Sequence, residues 1–501
     1  MDADTGRVEP DQPDGQTRCL VLFRDDRCGN PLCRTEAELG ISSRQSSGHE
    51  HLDRPGYGRS RYLSCLAPSW RACELLSKLR ASPDKDLHRP WLFLCIAVGV
   101  ALRVLWVFTF PAPQRSDHAT YFALAENLAE RTSYLIQNGG YAYWPPGYPF
   151  FLFANFLVFG VQPWVPLVSN LLLFAGTILV VHQLASRIGG PGVGRVSTLL
   201  LVFWPTYVTS AGLASKEQLL LFLIPLVLLL FVSAVAHCEL KQTILLLLLA
   251  GATLGFACLT QPSFLLFPGV LFLYEWLRRA SLVRSALRLA FVVVPMFLVI
   301  APWTLRNYRV LHAWVLVSTN GGYNFYRANN PFATGSYVQQ GEWGDEGVDE
   351  VQRAKLGFQR GIEWIRANPG DFLRLAGRKQ ILFLGDDSSG VYETLKRGLG
   401  IDGRGYFLSK GLCNLFWWGV WILVFATMCN FWETGLSTSP EVCALMLSVA
   451  YLFSLHSVFE SGAKYHGPLL SLVAVLAGLL AWDSSANTQN KKLSTVEALH
   501  P

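Results

Sequence analysis

The sequence predicts an all-α polytopic membrane protein with about ten transmembrane helices. Three observations predict it. The first is a set of apolar runs between Trp91 and Trp482, several of them long enough to cross a hydrocarbon core of roughly 30 Å at about 1.5 Å rise per residue. The second is charge. Only 16% of the 501 residues are charged, 51% are hydrophobic and mean hydropathy is +0.30, whereas soluble domains carry about 25% charged residues. The third is where the basic residues fall. Arg187 and Arg195, then Lys241, then Arg278, Arg279, Arg284 and Arg288 occupy alternate connections, which is the positive-inside pattern. Water is absent from a bilayer core, so each spanning run must satisfy its own backbone and is read as a helix.

The expected elements follow in order. Residues 1–87 are polar and aperiodic, with too many acids for a transit peptide and no signal-peptide pattern. They read as a disordered cytoplasmic tail or as the product of a start codon assigned too far upstream. The membrane domain is expected over 88–305 and opens with a span at Trp91–Phe110, behind Lys78, Arg80, Lys85, His88 and Arg89. A first outer loop covers 111–162, with helical composition at Tyr121–Glu130. Phe150–Phe159 is apolar but too short to span, so it is expected to lie in the interface. Spans are then expected at about Trp164–Ser186, Val196–Leu213, Gln218–Ala236, Thr243–Leu259, Ser263–Trp276 and Leu287–Leu305.

Residues 306–410 form a hydrophilic outer segment, expected to be mixed in structure and too long for a plain connection. Val351, Ala354, Phe358, Ile362 and Ile365 recur at helical spacing, and Asn368-Pro369-Gly370 should end that helix before another opens at Asp371. The C-terminal helices, 411–483, hold spans at about Cys413–Phe431, Val442–Phe459 and Pro468–Trp482. A tail, 484–501, carries Lys491 and Lys492. This parity puts both termini in the cytoplasm, and it gathers Asp117, Lys216, Glu217, the 306–410 segment and Lys464 on the outer face. The net charge of +6 is small for this length and does not point to nucleic acid.

Of the 11 cysteines, five precede the first span and six lie in or beside apolar helices, where a thiol acts as a small hydrophobe. The pair Cys28-x4-Cys33 has no partner pair with ligand spacing, so no metal site is read there. No cysteine lies between Ala301 and Tyr406, which leaves the outer segment without an internal disulfide.

Several motifs are ordered along the chain. Arg115-Ser116-Asp117-His118-Ala119-Thr120-Tyr121 is followed by Ala125-Glu126-Asn127-Leu128-Ala129 and Pro145-Pro146-Gly147-Tyr148-Pro149. Ala301-Pro302-Trp303-Thr304-Leu305-Arg306-Asn307-Tyr308, Ser318–Asn324 and Asn329-Asn330-Pro331 come later, then Lys464-Tyr465-His466-Gly467-Pro468. In order and spacing these resemble the glycosyltransferase C enzymes, in the branch of bacterial protein O-mannosyltransferases and lipid A aminoarabinose transferases. The resemblance covers about Trp91 to Trp482. It implies transfer of a hexose or pentose from a polyprenyl-phosphate carrier to an acceptor hydroxyl, with inversion, on the outer face of a plasma (bacterial inner) membrane. The acceptor can be a protein, a lipid or a cell-wall glycan. The resemblance makes Asp117 the catalytic base and Tyr121, Lys216, Glu217, Arg306, Lys379, Lys464 and Tyr465 substrate-binding residues. It fixes no cofactor and leaves a divalent cation open. Many relatives carry Glu after the Asp; here the residue is His118.

The physical needs of such a reaction are a base within reach of the acceptor hydroxyl, cations for the leaving phosphate, and apolar helices for the lipid tail. Each residue also has a plainer reading. Asp117 can cap the helix that holds Tyr121. Lys216-Glu217 can be an interfacial ion pair, and Arg306 can snorkel at a membrane exit. Arg378-Lys379 and Lys464 can be solvated charges, and Asp386-Asp387 reads as a turn. Arg103, inside the first span, must find a partner or a watery cavity. A transporter or flippase of about ten helices is the competing class, though no matched repeat is visible. A catalytically silent scaffold is a third.

Overall fold

The computed structural model describes residues 85–135, 140–237, 239–338, 348–434 and 440–481; the expected tails fall almost wholly outside these. The architecture is an all-α polytopic membrane bundle, and no strand occurs among the described residues. Seven helices are long and apolar enough to cross a membrane. They are α1 (Lys85–Thr109), α4 (Val165–Gly189), α7 (Lys216–Ala236), α8 (Leu240–Thr260), α10 (Leu282–Leu311), α14 (Arg404–Thr434) and α15 (Pro440–Val458). The other three expected spans are apolar but shorter, and proline explains each. Trp204-Pro205 divides one into α5 (Pro191–Phe203) and α6 (Pro205–Thr209). Pro262 and Pro268 divide another into a 3-10 turn and α9 (Pro268–Leu277). Pro468 opens the last as a 3-10 turn before α16 (Leu470–Gly478).

Between these run α2 (Ser116–Arg131) and α3 (Gly147–Phe159) in the first loop. The 306–410 segment contains α11 (Asn320–Ala328), α12 (Glu350–Ala367) and α13 (Pro369–Gly385), then a short turn and a π-helical stretch over Tyr392–Gly398. Its described residues are helical wherever they are regular. Asp349 caps α12 by accepting from the amides of Val351 and Gln352, both at 2.8 Å, and Asn368-Pro369 separates α12 from α13 as the sequence predicts.

Small residues set the closest packing. A β-carbon on Gly251 or Gly255 of α8 would stand 2.2 Å from the Val292 carbonyl oxygen or 2.6 Å from that of Met296, so α8 and α10 touch backbone to backbone. At α1, by contrast, apolar side chains face outward, with Phe108 77% exposed, as a lipid-facing helix requires. Arg103 on the same helix is buried and has found its partners. Pro205 leaves the carbonyls at the end of α5 without helical donors, and the Arg103 guanidinium reaches those of Leu201 and Val202 at 3.3 Å and that of Gly99 at 3.0 Å. The Phe174 ring lies 3.6 Å away and the Tyr207 ring 4.4 Å.

Candidate functional site

Asp117 sits in the first turn of α2. The N-cap of that helix is Arg115, which makes no side-chain cap bond, so capping does not account for the aspartate. Its carboxylate instead takes the Lys464 ammonium at 2.5 Å, across 347 positions of sequence. Both side chains stay about one-third exposed, and both line a cavity at the ends of α2, α6 and α7. Burial alone would raise the Asp117 carboxyl, but Lys464, with Lys216 and His118 behind it, holds the pKa down at about 2. Burial would lower Lys464; Tyr465, Asp117 and Glu217 together raise it instead.

The same cavity is lined by Tyr121, Tyr207, Glu217 and Gln218, by Asp387, Ser389 and Glu393, and by Gly467. Glu217 accepts from the Ser215 hydroxyl at 2.6 Å, and a β-carbon on Gly467 would come within 3.0 Å of the Glu217 side chain. Tyr121 is buried edge-on to Trp144 and Tyr148, with ring centroids 5.5 and 5.6 Å away. Tyr465 donates its hydroxyl to Glu460 at 2.9 Å. The structure therefore brings together Asp117, Tyr121, Glu217 and Lys464, with Lys216 near enough to Asp117 to act on its charge and Tyr465 beside Lys464.

Arg306 and Lys379 are placed elsewhere. The Arg306 guanidinium donates to the carbonyls of Tyr141 at 2.5 Å and Tyr134 at 3.4 Å and lies over the Trp303 ring at 4.7 Å. It ties the first loop to α10. Beside it Glu350 accepts from the amides of Tyr141 and Ala142 and from the Thr319 hydroxyl, so α12 grips the same loop. Lys379 is fully buried, its ammonium on the Asn329 side chain at 3.1 Å and the Val458 carbonyl at 3.0 Å. Burial lowers its pKa to about 8, against the opposing pull of Glu460. These contacts, with Arg327 on Glu460 and the Ser461 amide on the Gly335 carbonyl at 2.9 Å, anchor the turn that delivers Lys464. The 306–410 segment thus holds both loops that supply the Asp117–Lys464 pair.

In the sequence Asp386-Asp387 reads as a turn. Asp386 is indeed a turn residue, bonded to Ser388 and to Lys410 at 2.9 Å. Asp387 is different. It is fully buried, accepts from the Trp204 indole at 2.8 Å and meets His466 Nε2 at 2.9 Å, while His466 Nδ1 donates to the Phe383 carbonyl at 2.8 Å. A carbonyl only accepts, so Nδ1 carries a proton, and a further proton lies between Nε2 and Asp387. Burial pushes the Asp387 carboxyl up, opposed by His466. A Gly-Asp-Asp turn in one segment and a histidine beside the Lys-Tyr pair in another give no local signal of pairing.

Among the described residues no three His, Cys, Asp or Glu side chains stand close enough to hold a metal ion, so no ligand set is assigned to the divalent cation.

Among solved structures the chain is similar to the apo oligosaccharyltransferase of Archaeoglobus fulgidus, with a TM-score of 0.50 and 14% identity over 83% of this chain. The likeness is one of fold. This chain spans about half of that relative, 52% of its length. A further similarity is to ArnT of Cupriavidus metallidurans bound to undecaprenyl phosphate, with a TM-score of 0.39 and 15% identity over 79% of this chain and 78% of that one. No family model and no curated protein sequence matches the chain.

Proposed function

We propose that this protein is a membrane glycosyltransferase that moves a sugar from a polyprenyl-phosphate carrier to an acceptor hydroxyl on the non-cytoplasmic face, with inversion at the anomeric carbon. The observation that carries this reading is the Asp117–Lys464 pair in a cavity at the ends of membrane helices, with Lys216 and Glu217 beside it. A base and cations are what the reaction needs, and the fold is one in which an oligosaccharyltransferase is built. These charges gather at one end of the bundle, which favours a transferase over a transporter with polar groups at the midplane.

In the proposed step Asp117 accepts the proton of the acceptor hydroxyl as that oxygen bonds to the anomeric carbon. The bond from that carbon to the phosphate oxygen breaks, and its electron pair leaves with polyprenyl phosphate. Lys464 and Lys216 offset the charge that develops on the phosphate. Lys464 serves two anions in turn. While it pairs with Asp117 the carboxylate is a weak base, and a phosphodiester beside both groups competes for the ammonium, raising Asp117 toward a useful basicity. Inverting transfer by Asp117 and the roles of Tyr121 and Tyr465 at the sugar belong to this proposal.

The test is purified full-length protein in detergent with a panel of labelled polyprenyl-phosphate sugars and with protein, lipid and glycan acceptors. Label should leave the lipid and polyprenyl phosphate should accumulate. Failure with every donor, in protein that still binds polyprenyl phosphate, would overturn the reading.

The pH profile carries its own expectation. With the Asp117 carboxyl near 2 in the free enzyme, kcat/KM should stay flat as pH falls through 4, where an ordinary aspartate would begin to protonate. The acid limb of kcat, which reports the bound complex, should appear at higher pH. The sign for stability agrees: a depressed carboxyl contributes fully above its unfolded value and loses that contribution as pH falls toward 2. A kcat/KM limb at pH 4 or above would contradict the pairing in solution.

The proposed orientation, with both termini cytoplasmic and 306–410 outside, predicts opposite signals from reporter fusions at Ser281 and Thr334. Equal signals would separate the 306–410 segment from the face assigned to the active site.

A further inference from the structure

The six residues that join α6 to Lys216 have an unusual set of bonds. Between Ala211 and Ser215 the chain belongs to neither helix, yet four successive carbonyls are each taken by a side chain. Asn170 of α4 donates to the carbonyls of Ala211 at 2.9 Å and Leu213 at 2.8 Å. Gln114 donates to the Gly212 carbonyl at 2.8 Å and accepts from the Ala214 amide at 2.9 Å. His118 Nδ1 meets the Ala214 carbonyl at 3.1 Å and is buried. Since that carbonyl is only an acceptor, Nδ1 is the protonated nitrogen.

Gln114 and His118 flank Asp117, three positions before it and one after. Ser116 between them is held in the left-handed region at φ 50°, a conformation that costs a non-glycine residue on the order of 1 kcal/mol and persists where surrounding bonds demand it. Downstream, the clamped stretch runs directly into Ser215 and Glu217, which line the cavity with Asp117, and into Lys216, whose charge acts on Asp117. Gln114 and His118 therefore join two otherwise separate pieces of the site by direct bonds.

We propose that His118 and Gln114 are positioning residues that set the separation of the Asp117 carboxylate from Lys216 and Glu217. The proposal rests on the reading of Asp117 as the base. It gives a reason for histidine at 118: the acceptor is a carbonyl, and an ionised glutamate has no proton to donate to it.

The test compares three substitutions in the full chain. Asn carries its amide nitrogen as many bonds from Cα as histidine Nδ1, whereas Gln places its nitrogen where Nε2 stands. His118→Ala and His118→Gln should lower kcat by about tenfold to 10²-fold, the scale of a displaced catalytic group, with donor KM within about twofold. His118→Asn should restore most of kcat. Gln114→Glu, which keeps size but loses the donor to Gly212, should follow His118→Ala and stands in for it if that variant does not fold. Independently of turnover, hydrogen exchange at amides 211–215 should quicken in His118→Ala and His118→Gln and return in His118→Asn. Unchanged exchange there would overturn the clamp, and native kcat in His118→Ala, or a His118→Asn no better than His118→Gln, would overturn the positioning role. If the unaltered protein transfers none of the donors, the transferase reading fails, and the exchange data still judge the clamp.

Discussion

Asp117→Asn is expected to lower turnover by about 10²–10⁴, the typical worth of a positioned general base. The exchange preserves size and leaves an amide oxygen that can still accept from Lys464, so the helix and the cavity should stand. What it removes is the negative charge, and with it the ability to take a proton. Because α2 does not use Asp117 as its cap, the loss is not a loss of helix stability in disguise. Donor binding should hold or tighten, since Lys464 is no longer drawn to a carboxylate and is free for a phosphate. Loss of label from the carrier lipid measures the turnover, and full turnover in the variant would remove the catalytic assignment.

Glu460→Ala should produce the largest loss of stability. Arg327 reaches both carboxylate oxygens of Glu460, Tyr465 donates to one of them, and the two charged side chains are 12% and 5% exposed. Removing one partner of a buried pair strands the other and costs about 3–5 kcal/mol. A clear fall in the thermal midpoint of the detergent-solubilised protein checks this. Turnover should fall with it, because the turn that begins at Glu460 presents Lys464 to Asp117 four residues later. Replacing both charges with apolar residues, Arg327→Met with Glu460→Leu, should recover part of the stability, since no charge is then left buried alone. A midpoint within scatter of the unaltered protein would show that the pair is not load-sharing in solution.

Much of the fold was legible before any coordinates. Apolar length and the alternation of arginines marked all ten apolar segments, because a helix in lipid must carry its hydrophobicity locally. Prolines at 205, 262 and 468 shortened three of them, a punctuation that hydropathy alone underweights. Asp117 stood out through the motif around it, and Lys464 through its place before the final helix. Arg306 and Lys379, assigned to substrate from the same resemblance, point instead at backbone carbonyls. A long cationic side chain can serve any acceptor within its reach, and sequence does not say which is near.

By itself, then, the sequence determined that this chain is a helical membrane protein, where its apolar segments lie, and which aspartate to test. Those properties depend on neighbours along the chain. Tertiary structure alone decided that Asp117 meets Lys464, that Asp387 pairs with His466, and that Gln114 and His118 take the carbonyls before Lys216. Each of those contacts spans some 80 to 350 positions, and each depends on polar atoms of loops that must find partners only once packing has removed water from them.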